Sequence, residues 1–343
     1  MADAETMTRS AVATLIRDHA GPDLQVERLV FGTSDPDEVA ALLIRLSAEA
    51  AGEPITGALF YRSSVGAVAG LVSASGARMV IKAHQPSRTL ASLRTVADVQ
   101  RALALGGFVC PSPIGEPVRV GDRGFATFEA YFPDPGQYTI TQDMLPVSAA
   151  GLADLALRLK RLAPPGDSLG APQPSAGSLY PPPHSPLFDF EGTSAGAEWI
   201  DLVAAQARRV IDRDGNAPVV LHGDWSAANV RFTATALTAV YDWDSLILAP
   251  LSRAVGVAAV TWSAYGSASG PVPPSPAEVR RYVDAFENVW GEFTPVQREA
   301  AYANAVYCLA YTARCEHSLD PEGKSELYAR SRLMAAADAL LPP

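Results

Sequence analysis

Lysine is almost missing from this chain: of 27 basic residues among 343, only Lys82, Lys160 and Lys324 are lysines. Each of the three therefore needs a reason for not being arginine. Charge is sparse altogether, at 19% of residues against the ~25% of an ordinary globular chain. Acidic residues outnumber basic ones 37 to 27, for a formal net charge of -10. Proteins that hold a phosphate backbone carry a basic face, so nucleic acid is not an expected partner. Cysteine is scarce too, with only Cys110, Cys308 and Cys315. On a helix the last two stand about 10 Å apart, beyond the roughly 7 Å between Cα atoms that a disulfide tolerates. Their spacing does not suit a metal site either. Long apolar runs are lacking. The longest uncharged stretch, 254–277, ends in SAYGSASGPVPPSPA, which is loop chemistry and not a membrane span. The opening MADAETMTRSA is acidic and has no apolar segment of the secretion type. The expectation is a soluble, cytoplasmic chain with no membrane partner.

Apolar material is plentiful, at 48% of residues. It suffices for two domains or one large bilobal one. Residues 1–52 read as helical, with apolar residues at helical spacing and acidic residues opening the second segment. From Thr56 to His84, short apolar runs broken by Gly and Ser predict a meander of strands, with SASG as a hairpin turn before ARMVIK. A helix is expected over 87–105, a loop at GGFVCPSPIGEP, a strand at GFATFEAYF and its end at PDPGQY (133–138). The helix expected at 148–163 is followed by a Pro-, Gly- and Ser-rich insert, 164–187, and then by another helix stopping at Gly215. An irregular segment of that length is usually functional or a linker.

The informative stretch is VVLHGDWSAANVRFTATALTAVYDWD, Val219–Asp244. An apolar strand delivers His222-Gly223-Asp224 into a polar loop, Asn229 follows Asp224 by five positions, and a later strand ends at Asp242-Trp243-Asp244. Phosphoryl transfer uses such groups: one carboxylate to orient a hydroxyl and take its proton, and hard oxygen ligands for Mg2+. His222, just before Gly-Asp, reads as a hydrogen-bonding support for this loop. Trp225 either walls an acceptor site or packs.

HGDxxxxN followed by DWD resembles the aminoglycoside phosphotransferase-like, or choline kinase-like, branch of the protein-kinase fold. The resemblance extends more weakly from about residue 56 to about 315. It implies an α+β, bilobal chain: a β-rich N-terminal lobe at 1–128, including a helical extension at 1–52, and a mostly helical C-terminal lobe at 129–343. The second lobe would carry the catalytic loop 222–229 and the metal-binding 242–244. It implies Asp224 as catalytic base, Asn229 and Asp242 as Mg2+ ligands with Asp244 as a weaker one, and ATP or GTP as co-substrate. Lys82 would meet the nucleotide phosphates. The helix that supplies a glutamate partner in kinases has none here, and Asp98, its only acid, is the candidate partner. No GxGxxG is present. Ser63, Ser64 and Gly66 fall at the phosphate-covering turn, and Glu129 and Tyr131 fall where the family holds the purine through backbone groups. The missing Gly-rich signature and the missing Ala-Pro-Glu segment argue against a protein kinase.

The expected activity is phosphate transfer to a hydroxyl of a small molecule, with an antibiotic first: an aminoglycoside, nucleoside or macrolide. A sugar, an amino alcohol or another metabolite is the alternative, and an inactive nucleotide-binding module is the rival from another class. The negative net charge suits a cationic acceptor. The insert 164–187, with Tyr180 and His184, and Asp284, Glu287 and Glu316 of the C-terminal run are the candidates to receive it. A monomer or homodimer is expected.

Overall fold

In the computed structural model the described residues are 2–133, 140–170, 174–175, 177–185, 187–263, 273–323 and 328–342. Most of the turn expected at 133–138, parts of the insert and much of the loop before residue 277 lie outside them. The chain divides into two compact units, Met1–Pro133 and Asp134–Pro343.

The first unit begins with three helices, α1 (Ala2–His19), α2 (Gln25–Phe31) and α3 (Pro36–Ala51). Asp35 caps α3 by accepting a hydrogen bond from the Asp37 amide at 2.8 Å, and Pro36 stands at its first position, where a missing N–H costs nothing. A five-stranded antiparallel sheet follows. It is made of β1 (Ile55–Ser63), β2 (Ala67–Ser73), β3 (Arg78–Ala83), β4 (Pro113–Val120) and β5 (Gly124–Ala130), in the order β1-β2-β3-β5-β4, and α4 (Leu90–Leu105) lies in sequence between β3 and β4. The core gathers Val12 and Ile16 of α1, Val39 and Leu43 of α3, and Tyr61, Leu71, Ile81 and Phe128 of the sheet. The Tyr61 hydroxyl donates to Glu27 of α2 at 2.6 Å, tying the helical extension to β1. Strand β4 is a correction, because GGFVCPSPIGEP reads as a loop. Proline cannot donate to a ladder, but β4 is an edge strand, where Pro113 and Pro117 are tolerated.

The second unit is mostly helical: α5 (Leu145–Leu162), α6 (Glu198–Ile211), α7 (Leu251–Thr261), α8 (Pro276–Trp290), α9 (Pro295–Leu319) and α10 (Leu333–Leu340). α9, about 38 Å long at 1.5 Å per residue, packs against α6, α7 and α10, while α5 packs on α8. Capping boxes at Ser275/Glu278 and Thr294/Gln297 start α8 and α9. Two antiparallel ribbons carry the motif region: β6 (Val219–His222) with β9 (Leu246–Ala249), and β7 (Val230–Phe232) with β8 (Leu237–Val240). Sequence reading missed strand β9, four apolar residues that run from the Trp243–Ser245 turn almost directly into α7. Among the described residues no helix is long and apolar enough to cross a membrane.

Candidate active site

The loop 223–229 is folded by its own polar groups. His222, the last residue of β6, is 1% exposed. Its Nε2 lies 3.0 Å from the Tyr241 carbonyl, and its Nδ1 accepts the Asp224 amide at 3.3 Å. That pair fixes a neutral ring protonated on Nε2, flanked edge-on by Trp225 and Trp243. The support role read for His222 is the one it plays here. Gly223 has a steric cause: a Cβ there would stand 2.9 Å from the Ser245 carbonyl oxygen. Asn229 closes the loop, its Nδ2 donating to Asp224 Oδ2 at 2.7 Å and to the Asp224 carbonyl at 3.2 Å. The two residues that the motif separates by five positions are thus in direct contact.

Trp225 settles as a packing residue. It is 1% exposed, its Nε1 donates to Ser148 of α5 at 3.1 Å, and its carbonyl accepts from Thr261 of α7 at the same distance. The acceptor-wall alternative is corrected: the indole is spent fastening the loop to two helices. Asp242 follows β8 with φ 58 and ψ 51, a left-handed conformation that costs a non-glycine residue energy. The Ser245 hydroxyl donates to its Oδ2, and the Ser245 amide donates to its carbonyl at 3.0 Å, so a short turn holds the strained residue. Asp244 lies in that turn.

In the first unit, β3 carries Lys82, whose Nζ stands 3.5 Å from Glu129 Oε1. Asp98 is not its partner. It is 72% exposed and ion-paired to Arg101 at 2.7 Å. Two positions further along α4, some 200° around the helix, Gln100 is buried and donates to Glu129 Oε2 at 3.1 Å. The carboxylate therefore comes from β5. At the end of β5, the Ala130 amide donates to the Ser112 carbonyl at 2.8 Å and the Tyr131 amide to the Arg78 carbonyl at 3.0 Å. Ser63 ends β1 opposite Ala67. The Ser64 amide donates to the Gly66 carbonyl at 3.1 Å, and Gln85 braces the turn by donating to the Val65 carbonyl at 2.7 Å. A Cβ on Gly66 would meet the Ala83 carbonyl at 2.7 Å, so close approach to β3 accounts for that glycine.

The acidic candidates for the acceptor divide. Glu287 is buried, ion-paired to Arg298 at 2.8 Å and accepting the Phe293 amide, so it locks the α8–α9 turn. Glu316 accepts the Ala329 and Arg330 amides at 2.8 and 3.0 Å. Burial raises its pKa, and those amides oppose the rise. Both acids serve the fold, which corrects their assignment to a ligand. Asp284 is exposed on α8. Tyr180 is 7% exposed and its hydroxyl donates to Asp201 at 3.0 Å, an anchor for the insert. His184 has its amide and its Nδ1 on the Tyr311 hydroxyl, at 3.1 and 2.9 Å. Desolvation lowers the His184 pKa while the charge of Asp224 pulls it up, which places the insert in the electrostatic reach of that carboxylate.

Residues 69–297 match the family described as the phosphotransferase enzyme family, APH. The chain belongs to that family. Among solved structures it is similar to an amicoumacin kinase in complex with AMP-PNP, Ca2+ and Ami, with a TM-score of 0.60 and 11% identity over 82% of this chain and 87% of that one. A microcompartment-associated aminopropanol kinase gives 0.59 and 12% over 87% and 95%. A spectinomycin phosphotransferase in complex with ADP and spectinomycin gives 0.53 and 14% over 88% and 94%. At such identities the likeness is one of fold, and it bears out the kinase-like α+β architecture. No curated protein matches the chain by sequence.

Within this phosphotransferase, no group of three or more His, Cys, Asp or Glu among the described residues gathers to hold a metal. Mg2+ that arrives with a nucleotide needs only one or two protein carboxylates, since phosphates and water complete its shell. The donor set fits that need. Asn229 spends its Nδ2 on Asp224, which leaves its amide oxygen able to serve as a ligand, and Asp242 could add a carboxylate. Sequence reasoning missed the side-chain role of Glu129 and the part played by Tyr311. The first had a signal, a glutamate two residues beyond the position paired with Lys82 across the sheet. The second had none, because residues 184 and 311 meet only through tertiary packing.

Proposed function

We propose that this phosphotransferase moves the γ-phosphoryl group of ATP or GTP to a hydroxyl of a small molecule, with Mg2+, and that the acceptor is an antibiotic. The carrying observation is the contact between Asn229 Nδ2 and Asp224 Oδ2 at 2.7 Å. It orients a carboxylate suited to take the hydroxyl proton, and it turns an amide oxygen toward the metal role. Asn229 and Asp242 would hold Mg2+, which when bound neutralises charge on the phosphate oxygens. Lys82 would bind the nucleotide phosphates as a point charge. Asp224 holds the acceptor hydroxyl and receives its proton, and the His222 ring keeps the Asp224 backbone in register.

The antibiotic reading draws support from the fold shared with the amicoumacin kinase and the spectinomycin phosphotransferase. The likeness to the aminopropanol kinase brings in amino alcohols as a second acceptor class. Engagement of Glu287 and Glu316 in the fold weakens the case for a polycationic acceptor gripped by those acids. A phosphate-transfer screen over antibiotics and amino alcohols, with Mg2+ and either nucleotide, tests the proposal. Transfer to an antibiotic that disappears in Asp224→Asn supports it. Transfer confined to amino alcohols selects the second class, and nucleotide binding without any transfer would leave an inactive module.

A further inference from the structure

α4 contains no glutamate, yet Lys82 has a carboxylate beside it. The sheet register explains how. Lys82 pairs with Thr127 across β3 and β5, and Glu129 lies two residues further on β5. Residues two apart on a strand share a face, so the two side chains are diagonal neighbours that long chains can bridge. Both are largely enclosed, with side-chain exposures of 12% for Lys82 and 9% for Glu129. An enclosed charge is unfavourable unless it is paired and hydrogen-bonded. Here one oxygen of Glu129 faces the ammonium, and the other takes the Gln100 amide. The same Gln100 nitrogen also donates to the Pro111 carbonyl at 2.9 Å, which keeps the amide from turning. A glutamate at position 100 would set two carboxylates face to face, whereas glutamine supplies the donor that Glu129 needs. The Cys110 thiol nearby is pushed up to about 12, by burial first and by the Glu129 charge second.

We propose that Glu129 is the positioning residue for Lys82, holding its ammonium for a nucleotide phosphate, with Gln100 of α4 holding Glu129 in turn. The carboxylate has moved from helix to sheet, and the helix keeps its hold through an amide. This rests on the nucleotide-dependent reading above.

Calorimetric titration of Mg2+ with ATP and with GTP tests it, using the full chain, Glu129→Gln, Lys82→Met, the pair combined, and Glu129→Gln with Gln100→Glu. Circular-dichroism melting checks that each variant is folded. Glu129→Gln is expected to weaken nucleotide affinity about tenfold, as for loss of a charge-assisted contact. That loss should vanish in the Lys82→Met background, because the two residues act as one unit. The combination with Gln100→Glu should not restore the affinity, because a carboxylate at position 100 would face the Pro111 carbonyl and not the ammonium. Affinity within twofold of the parent in Glu129→Gln, or an undiminished loss in the Lys82→Met background, overturns the proposal. If Glu129→Gln does not fold, Glu129→Asp runs the same cycle, with a severalfold loss expected and the same two outcomes overturning it. Absence of nucleotide binding by the unaltered chain is a different failure: it removes the proposed function itself, and this positioning role with it.

Discussion

The loop 223–229 and the described part of segment 178–195 are both irregular, both stitched by hydrogen bonds, and both in the C-terminal unit. They differ in how far the stitches reach along the chain. The bonds that give the loop its motif, from Asp224 to His222 and from Asn229 to Asp224, join residues two and five apart, while Trp225 fastens it to more distant helices. Several that hold the segment come from α9, across separations of 121 to 128: Tyr307 to Leu179, Tyr311 with His184, and Arg314 to Phe190 and Thr193. Short-range bonding imposes residue types at fixed spacing, so it leaves a motif. Long-range bonding only asks α9 to present polar groups somewhere along one face, and it leaves no pattern that spacing can reveal.

The largest expected effect is at the centre of the short-range network. Asp224→Asn keeps the size of the side chain but removes the proton acceptor. It should lower kcat by about 10²–10⁴, the usual loss for a general base, with nucleotide affinity retained. Turnover near that of the parent in a transfer assay would show that the carboxylate is not the base. Next comes Asp242→Asn. Asparagine tolerates the left-handed backbone of this position better than alanine does, so the variant isolates the charge. Mg2+-dependent nucleotide affinity should fall tenfold or more, and Asp244→Asn should cost less. The reverse order in titration would exchange the two assignments.

What was legible follows the same division. Asp224, Asn229, Asp242 and Lys82 could be singled out as candidates because each belongs to a local pattern. The fate of Trp225, Glu287 and Glu316 was not, since an indole or a carboxylate used by Ser148, Arg298 or the Ala329 amide is indistinguishable by spacing from one facing a ligand. Asp98 was misread for a related reason: helix position was assumed to decide the partner of Lys82, while sheet register decided it. Strand β4 was hidden by prolines whose tolerance depends on being at the edge, a property of the whole sheet.

The long-range side of the comparison is tested by Arg314→Met. Arg314 is 2% exposed, donates to the Thr193 and Phe190 carbonyls, and sits 3.3 Å from Asp201. Methionine keeps the apolar stem and drops all three polar contacts. Loss of a buried charged group that holds several partners costs about 3 kcal/mol, so the melting temperature should fall. If the segment contributes to acceptor binding, acceptor KM rises severalfold while nucleotide affinity stays within twofold. A rise in nucleotide Kd of the same size would mean that the damage had spread beyond the segment.

The smallest effect concerns His184, where the segment and the loop meet electrostatically. Desolvation lowers its pKa below the ordinary 6.5, and Asp224 only partly offsets this. A histidine with a lowered pKa stays neutral in the folded chain while its unfolded counterpart gains a proton. Stability is therefore unaffected well above pH 6.5, and it declines as pH falls from there toward the folded pKa. His184→Gln keeps a polar side chain but cannot titrate, so this part of the acid decline should disappear. Because His184 is exposed at its surface, the difference should be modest, a shift of about 2 °C or less in melting temperature near pH 5.5 for a unit of this size. Melting curves from pH 8 to pH 5 decide it. Parallel curves for parent and variant would show that His184 carries no net shift, with the pull of Asp224 fully offsetting its desolvation.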